Sequence, residues 1–282
     1  MNLMAILTAV AILGGVGFAF GVLIAIANKR FKVWEDPRID GVTDLLPGTN
    51  CGACGEAGCR AFAEKLVDGQ TQPAGCTNMG EDEILDVAGY LGVDAGEATK
   101  RVARLLCAGG SDVAIQNARY EGLDSCAAAA AVAGGGKGCS WGCLGLADCA
   151  DACTFGAITM NDVGLPVVAP AACTACGDCV AACPKDVFTI MPLEQKLIVQ
   201  CKSLIEGDEA EALCRVACTA CGRCADDAQP GVIAMRHGLA VIDYAKNDLA
   251  GEEAIQRCPT GAIRWVEYAQ FATTRELAGS AS

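Results

Sequence analysis

Residues 3–27 form an unbroken apolar run without a charged side chain. At about 1.5 Å rise per residue a helix of that length crosses a hydrocarbon core of about 30 Å. The pattern therefore predicts one transmembrane helix within residues 1–28. A cleaved signal peptide is the competing reading, but no basic residue precedes the run and it is too long for an h-region. Lys29, Arg30 and Lys32 come directly after it and place the rest of the chain on the cytoplasmic side, with Trp34 near the interface. Gly14, Gly17 and Gly21 give the helix a small-residue face with one Gly-x-x-x-Gly spacing, which suits close approach of another membrane helix.

Beyond the run the periodicity changes. Residues 29–47 are polar, contain Pro37 and Pro47, and read as a linker. Phe62 and Leu66 recur at helical spacing and are core positions. Residues 81–107 are helix-like, with Ile84, Leu85, Ala88 and Leu91, and later Val102, Leu105 and Leu106, in stripes. An Ala-rich then Gly-rich stretch over 127–138 predicts a short helix and a flexible approach to Cys139. Five short apolar stretches, at 157–160, 165–168, 187–190, 238–242 and 262–265, read as strands. The class is α+β. Its expected divisions are a linker at 29–47, a small helical domain at 48–90, a connector at 91–138, units at 139–192 and 193–270, and a tail at 271–282.

Charge removes one class of function. The chain has 34 acidic and 21 basic residues among 282, net -13, and no basic run offsets them, which argues against nucleic-acid binding. Cysteine changes the picture most, with twenty residues against a single His. On the reducing side of a membrane structural disulfides are disfavoured, which leaves zinc or iron–sulfur clusters.

Spacing separates these two. Cys51-Gly-Ala-Cys54-Gly-Glu-Ala-Gly-Cys59, followed by Cys76, is a three-plus-one grouping with glycines that let backbone N–H groups face the sulfurs, and it favours a 4Fe-4S cube. Zinc sites pair their ligands or include His. Cys173-Thr-Ala-Cys176-Gly-Asp-Cys179-Val-Ala-Ala-Cys183-Pro184 is the C-x2-C-x2-C-x3-C-P run of two-cluster ferredoxins, in which the fourth Cys serves the other cluster. The partner run lies upstream, with Cys139, Cys143, Cys149 and Cys153, but Leu146 stands at its second ligand position. Swapping then groups Cys153 with Cys173, Cys176 and Cys179. Cys183 joins Cys143 and Cys149, with Cys139 as the fourth ligand and Cys126 as second choice.

A shift of 75 residues superposes Cys126 on Cys201, Cys139 on Cys214, Cys143 on Cys218, Cys149 on Cys224 and Cys183-Pro184 on Cys258-Pro259, without a gap. Leu146 becomes Cys221, while Cys153, Cys173, Cys176 and Cys179 become Ala228, Asp248, Gly251 and Ala254. The second unit has thus lost one complete ligand set and kept the other, Cys218, Cys221, Cys224 and Cys258. Four 4Fe-4S clusters are expected from sixteen thiols. Cys107, Cys126, Cys201 and Cys214 are left either as small buried hydrophobes or as a sign of misassigned ligands or a fifth cluster. Two further features carry no function: Gly134-Gly-Gly-Lys137 fails the phosphate-loop spacing, and His237 reads as a loop residue.

The membrane helix, the Gly48-Thr-Asn-Cys51-Gly-Ala-Cys54-x4-Cys59 motif, Cys139-x3-Cys143-x5-Cys149 and the ferredoxin run together resemble the B subunit of the Rnf complex, over essentially the whole chain. The resemblance implies an inner-membrane, multi-subunit ferredoxin:NAD+ oxidoreductase that couples electron flow to ion transport. In such a complex this component accepts electrons from soluble ferredoxin and relays them toward flavin and NAD sites on other subunits. The chain has no Gly-x-Gly-x-x-Gly after a strand and no acid/base constellation, so no catalytic residue is assigned. Other readings are a ferredoxin-like subunit of a hydrogenase or formate complex, a zinc-bound scaffold, and a self-contained NAD-reducing enzyme.

Overall fold

The computed structural model describes residues 3–31, 35–97 and 99–271, so Lys32 and Trp34 lie outside the described residues, as does the tail beyond Phe271. Helix α1, Leu3–Phe31, carries the apolar run and ends on Lys29 and Arg30. From Val10 to Phe31 it is long and apolar enough to cross a membrane, and among the described residues none covers that stretch. A helix apolar on every side and uncovered by protein suits a lipid environment.

The expected linker is a correction. Residues Pro37–Leu45 form helix α2, because Pro37 occupies its first turn and the Asp36 carboxylate accepts from the Arg38 amide as N-cap. Pro37 starts a helix here rather than breaking one. Helices α3, Cys59–Val67, and α4, Glu81–Leu91, complete the small N-terminal domain. Val42, Leu46, Phe62, Leu66, Ile84 and Val87 are its core. A Cβ on Gly41 would run into the Tyr90 ring, so this glycine sets how closely α2 lies against α4.

The helical reading of 81–107 holds only for α4. Residues Arg101–Leu105 are strand β1, with Val102, Ala103, Arg104 and Leu105 all buried. The run Val-Ala-Arg-Leu is covered on both faces, so its apolar stripe had no period to distinguish helix from strand. Arg104 is accommodated by donating to the Tyr268 carbonyl at 2.6 Å.

From β1 onward the same order of elements occurs twice. The first set is β1, helix α6 (Asp148–Asp151), β2 (Ile158–Met160), β3 (Pro166–Val168), α7 (Asp178–Ala182) and β4 (Phe188–Pro192), with helix α5 (Cys126–Ala131) inserted after β1. The second is β5 (Leu197–Val199), α9 (Arg223–Asp227), β6 (Ile233–Arg236), β7 (Leu239–Ile242), α10 (Glu253–Gln256) and β8 (Ile263–Trp265), with α8 (Gly207–Leu213) inserted after β5. In each set the outer strands pair antiparallel, Leu105 opposite Phe188 and Val199 opposite Ile263, and the inner strands form a hairpin. All five apolar stretches read as strands carry one, and His237 lies in the β6–β7 turn with φ 48°. The connector expected at 91–138 therefore contains the first strand of a unit, and its boundary at 139 falls inside that unit.

Candidate metal centres

The cysteines are held by a local device used repeatedly. Helices α6, α7 and α9 each follow a residue in left-handed conformation, Ala147, Gly177 and Gly222, and each places a Cys at its second position: Cys149, Cys179 and Cys224. Ala175 and Ala220, inside the two Cys-Thr-Ala-Cys turns, are also left-handed, at φ 60° and 58°. Such turns curl the chain so that successive sulfurs face one space while amides point at them. Amides two residues on do so: Gly145 toward Cys143, Asn78 toward Cys76, Val216 toward Cys214, and Ser203 toward Cys201 at 3.4 Å.

Two expected quartets each line one small cavity. Cys51, Cys54, Cys59 and Cys76 surround a cavity of about 10 Å³ at the start of α3, with Leu46 and Phe62 as its back wall. The Asn50 side chain accepts from the Cys59 amide at 2.8 Å and so fixes the loop to the helix. Cys218, Cys221, Cys224 and Cys258 surround a cavity of about 20 Å³ in the last unit, with Val199, Met235 and Ile263.

The two middle groups share one core. Burial pushes the Cys179 thiol up to about 12, with Cys173, Cys176 and Cys153 as its electrostatic neighbours. Burial likewise raises Cys149 to about 12, and there the neighbours are Cys143, Cys126, Cys179 and Cys183. Cys153 therefore neighbours Cys179 of the later run, and Cys183 neighbours Cys149 of the earlier one.

Cys139 is the correction. It lines a different cavity, of about 20 Å³, together with Cys107, Cys201 and Cys214. The fourth thiol beside Cys143, Cys149 and Cys183 is Cys126, at the start of α5. The amides of Asp148 and Leu146 donate to its sulfur, so it stands over the position where Leu146 lacks one. The Asp148 carboxylate accepts from the Cys126 and Ala127 amides at 2.8 and 2.9 Å and fastens α5 to α6. Sequence spacing missed this because Cys126 returns from an insertion. The 75-residue shift did not separate the two candidates, because Cys126 and Cys139 both recur in it, at Cys201 and Cys214.

All twenty cysteines are free of disulfides, and only Cys221 is exposed. Among the described residues no group of three or more Cys, His, Asp or Glu converges closely enough to hold a single metal ion. The thiols ring spaces instead, and all-sulfur donors around an apolar space fit a cluster rather than one ion. Burial disfavours ionisation of the Cys143, Cys149, Cys179, Cys201 and Cys224 thiols. A polycationic iron core would reverse that preference.

The groups also touch in sequence. Thr77, next to Cys76, donates to the Thr174 carbonyl between Cys173 and Cys176 at 2.9 Å. Cys179 and Cys149 are electrostatic neighbours. The Cys143 amide donates to the Cys107 sulfur at 3.3 Å, and the Cys218 amide donates to the Cys201 sulfur.

Thiol-ringed cavities, amide–sulfur bonds and a paired-strand fold define an iron–sulfur protein of electron transport. An Fe-S cluster family model matches residues 46–77, the N-terminal quartet. The chain is 42% identical to the B subunit of the Na+-translocating ferredoxin:NAD+ oxidoreductase complex of Acetobacterium woodii, covering 94% of this chain and 79% of that one. It is 39% identical to the B subunit of the ion-translocating oxidoreductase complex of Methanosarcina acetivorans, over 92% and 97% of the two chains. Against the B subunit of the proton-translocating ferredoxin:NAD+ oxidoreductase complex of Clostridium ljungdahlii it is 38% identical, over 88% of each. The chain belongs to the family of B subunits of the Rnf ion-translocating oxidoreductase complex.

Proposed function

We propose that this chain is the electron-transfer subunit that accepts electrons from soluble ferredoxin and relays them, through 4Fe-4S clusters, toward flavin and NAD sites on partner subunits, or carries them back. The observation that carries this reading is the succession of cysteine quartets in contact from the N-terminal domain into the ferredoxin-like units. We read the two sets of elements as duplicated ferredoxin-like units, the first for two clusters and the second for one. Cys51, Cys54, Cys59 and Cys76 hold the N-terminal cluster; Cys153, Cys173, Cys176 and Cys179 hold the next. Cys126, Cys143, Cys149 and Cys183 hold the third, and Cys218, Cys221, Cys224 and Cys258 the C-terminal one.

When bound, such clusters supply reversible one-electron storage. The protein's part is placement. Thiolates fix position, amides directed at sulfur and the charge nearby order the potentials, and walls such as Val199, Ile263 and Phe62 keep water out. The chain has no catalytic site of its own in this reading. Helix α1 anchors it in the inner membrane, with Lys29 and Arg30 on the cytoplasmic side where ferredoxin is found.

The test is Cys176→Ala in the assembled complex. Three thiols hold a cube poorly, so the expected outcome is loss of about 4 iron per chain and of ferredoxin-dependent NAD+ reduction. Unchanged iron and activity would refute both the ligand set and the wire. If the full chain carries zinc in place of iron after anaerobic preparation, the scaffold reading replaces this one.

A further inference from the structure

Four cysteines remain outside the electron path just described, and they are not scattered. Cys107, Cys139, Cys201 and Cys214 line a single small cavity of about 20 Å³, like the 20 and 10 Å³ of the other two cysteine-lined cavities. Cys107 and Cys214 are buried and the other two are half-buried. A Cβ built on Gly109 would lie 3.1 Å from the Cys214 sulfur and 3.6 Å from the Cys107 sulfur, so a side chain at this glycine would intrude on the two thiols.

The four also obey a rule that chance burial does not supply. Cys107 lies two residues beyond β1, and Cys201 lies two residues beyond β5, the first strand of each unit. Cys139 precedes Cys143 by four residues, and Cys214 precedes Cys218 by four. Each unit therefore contributes the same two positions to one space between them. The backbone joins the two sides there: the Ala108 amide donates to the Gln200 carbonyl at 3.0 Å, and Ala114 bridges to Cys214.

We propose that Cys107, Cys139, Cys201 and Cys214 hold a fifth 4Fe-4S cluster, shared between the two units and linking the C-terminal cluster to the middle pair. This rests on the electron-transfer reading above and deepens it. Two contacts place the site in the path. The Cys143 amide donates to the Cys107 sulfur, and the Cys218 amide donates to the Cys201 sulfur, so each neighbouring quartet is one residue away. Without this station the C-terminal quartet contacts no other quartet through these bonds. Electrons pass singly, each station losing what the next gains, with no bond made or broken and no proton required.

Lys137 gains a role that its failed phosphate motif did not offer. Its ammonium lines this cavity and donates to the Cys143 carbonyl at 2.6 Å and to the Gly109 carbonyl. A fixed positive charge between two anionic cluster sites favours their reduced forms. Against the alternative that the four thiols pack as small hydrophobes stand the space they enclose and the amides aimed at them.

The test uses full-length chain purified anaerobically in detergent, analysed for iron, acid-labile sulfide and zinc. Cys139→Ser/Cys214→Ser is compared with wild type and with Cys218→Ser/Cys224→Ser as a control. The proposal expects about 20 iron with matching sulfide in wild type, and about 16 in either double variant. About 16 in wild type, unchanged in Cys139→Ser/Cys214→Ser but lowered in the control, overturns the fifth site and leaves the electron-transfer function standing. One zinc per chain that disappears with Cys139 and Cys214 overturns it as well. Wild type without iron sinks the function itself. Where the first double variant loses all iron through misfolding, the wild-type count of about 20 against about 16 still decides.

Discussion

The two units of this chain differ at a few positions, and the differences compensate for one another. In the first unit Leu146 stands at the second ligand position of its run, and Cys126, brought back by the insertion after β1, supplies the thiol. In the second unit Cys221 fills that position, and Cys201, which the 75-residue shift aligns with Cys126, faces the cavity between the units. The second unit also carries Ala228, Asp248, Gly251 and Ala254 where the first has Cys153, Cys173, Cys176 and Cys179. There Ala254 is buried and Ala228 and Ala250 pack against the core. Helices α9 and α10 of the second unit are tied by Arg257 and Asp227 at 2.8 Å, where the first unit has Ala152 and Ala182. The second unit has the same strand pairing as the first, with packed alanines and an ion pair at these places.

The sharpest way to break this comparison is Cys126→Ala. It should cost the middle unit about 4 iron and block electron transfer, and Leu146→Cys in the same chain should restore both, because it recreates the arrangement at Cys221. Iron analysis of the two variants measures this. Unchanged iron in Cys126→Ala would return the fourth ligand to Cys139.

A smaller effect belongs to the cores. The first unit has Ala157 and Val187 where the second has Val232 and Ala262, all buried, so each core has one large and one small residue at these places. Val187→Ala should lower stability by about 2 kcal/mol through the cavity it leaves. Ala262→Val should cost about 1–3 kcal/mol by overpacking. Thermal melts of cluster-loaded chain check both, and an Ala262→Val protein as stable as wild type would show that the second core is not tightly filled.

The smallest effect belongs to the ion pair. Arg257 donates to the Asp227 carboxylate and holds its pKa below the usual range. That contribution is present above the ordinary carboxylate pKa of about 4 and is lost as pH falls through the lower folded value. The pair is exposed at Arg257, so Asp227→Asn should lower the melting temperature only slightly at neutral pH, less than Val187→Ala, and not at all in strong acid. An equal loss at both pH values would assign Asp227 a packing role instead.

Much of the site was legible in the chain because cluster ligands are local. The three-plus-one group at Cys51 and the run from Cys173 to Cys179 each gather their sulfurs through short turns, and left-handed residues such as Gly52, Gly55 and Gly177 lie between their cysteines. The linker at 29–47 and the helical reading of 101–105 failed for an equally local reason. Pro37 serves helix starts as well as breaks, and a strand buried on both faces has no alternation.

Sequence by itself determined the iron–sulfur class and the long apolar N-terminal run, and it displayed the 75-residue recurrence of cysteines, since each is written in composition or in spacing along one stretch of chain. Only the tertiary structure decided which distant thiols share a space. Cys126 reaches Cys183 across 57 residues of sequence, and Cys107 reaches Cys214 across a unit boundary. Pairing of β1 with β4 and of β5 with β8 sets where those strands end, and so carries Cys107 and Cys201 to one cavity, a consequence of backbone hydrogen bonds that no spacing rule contains.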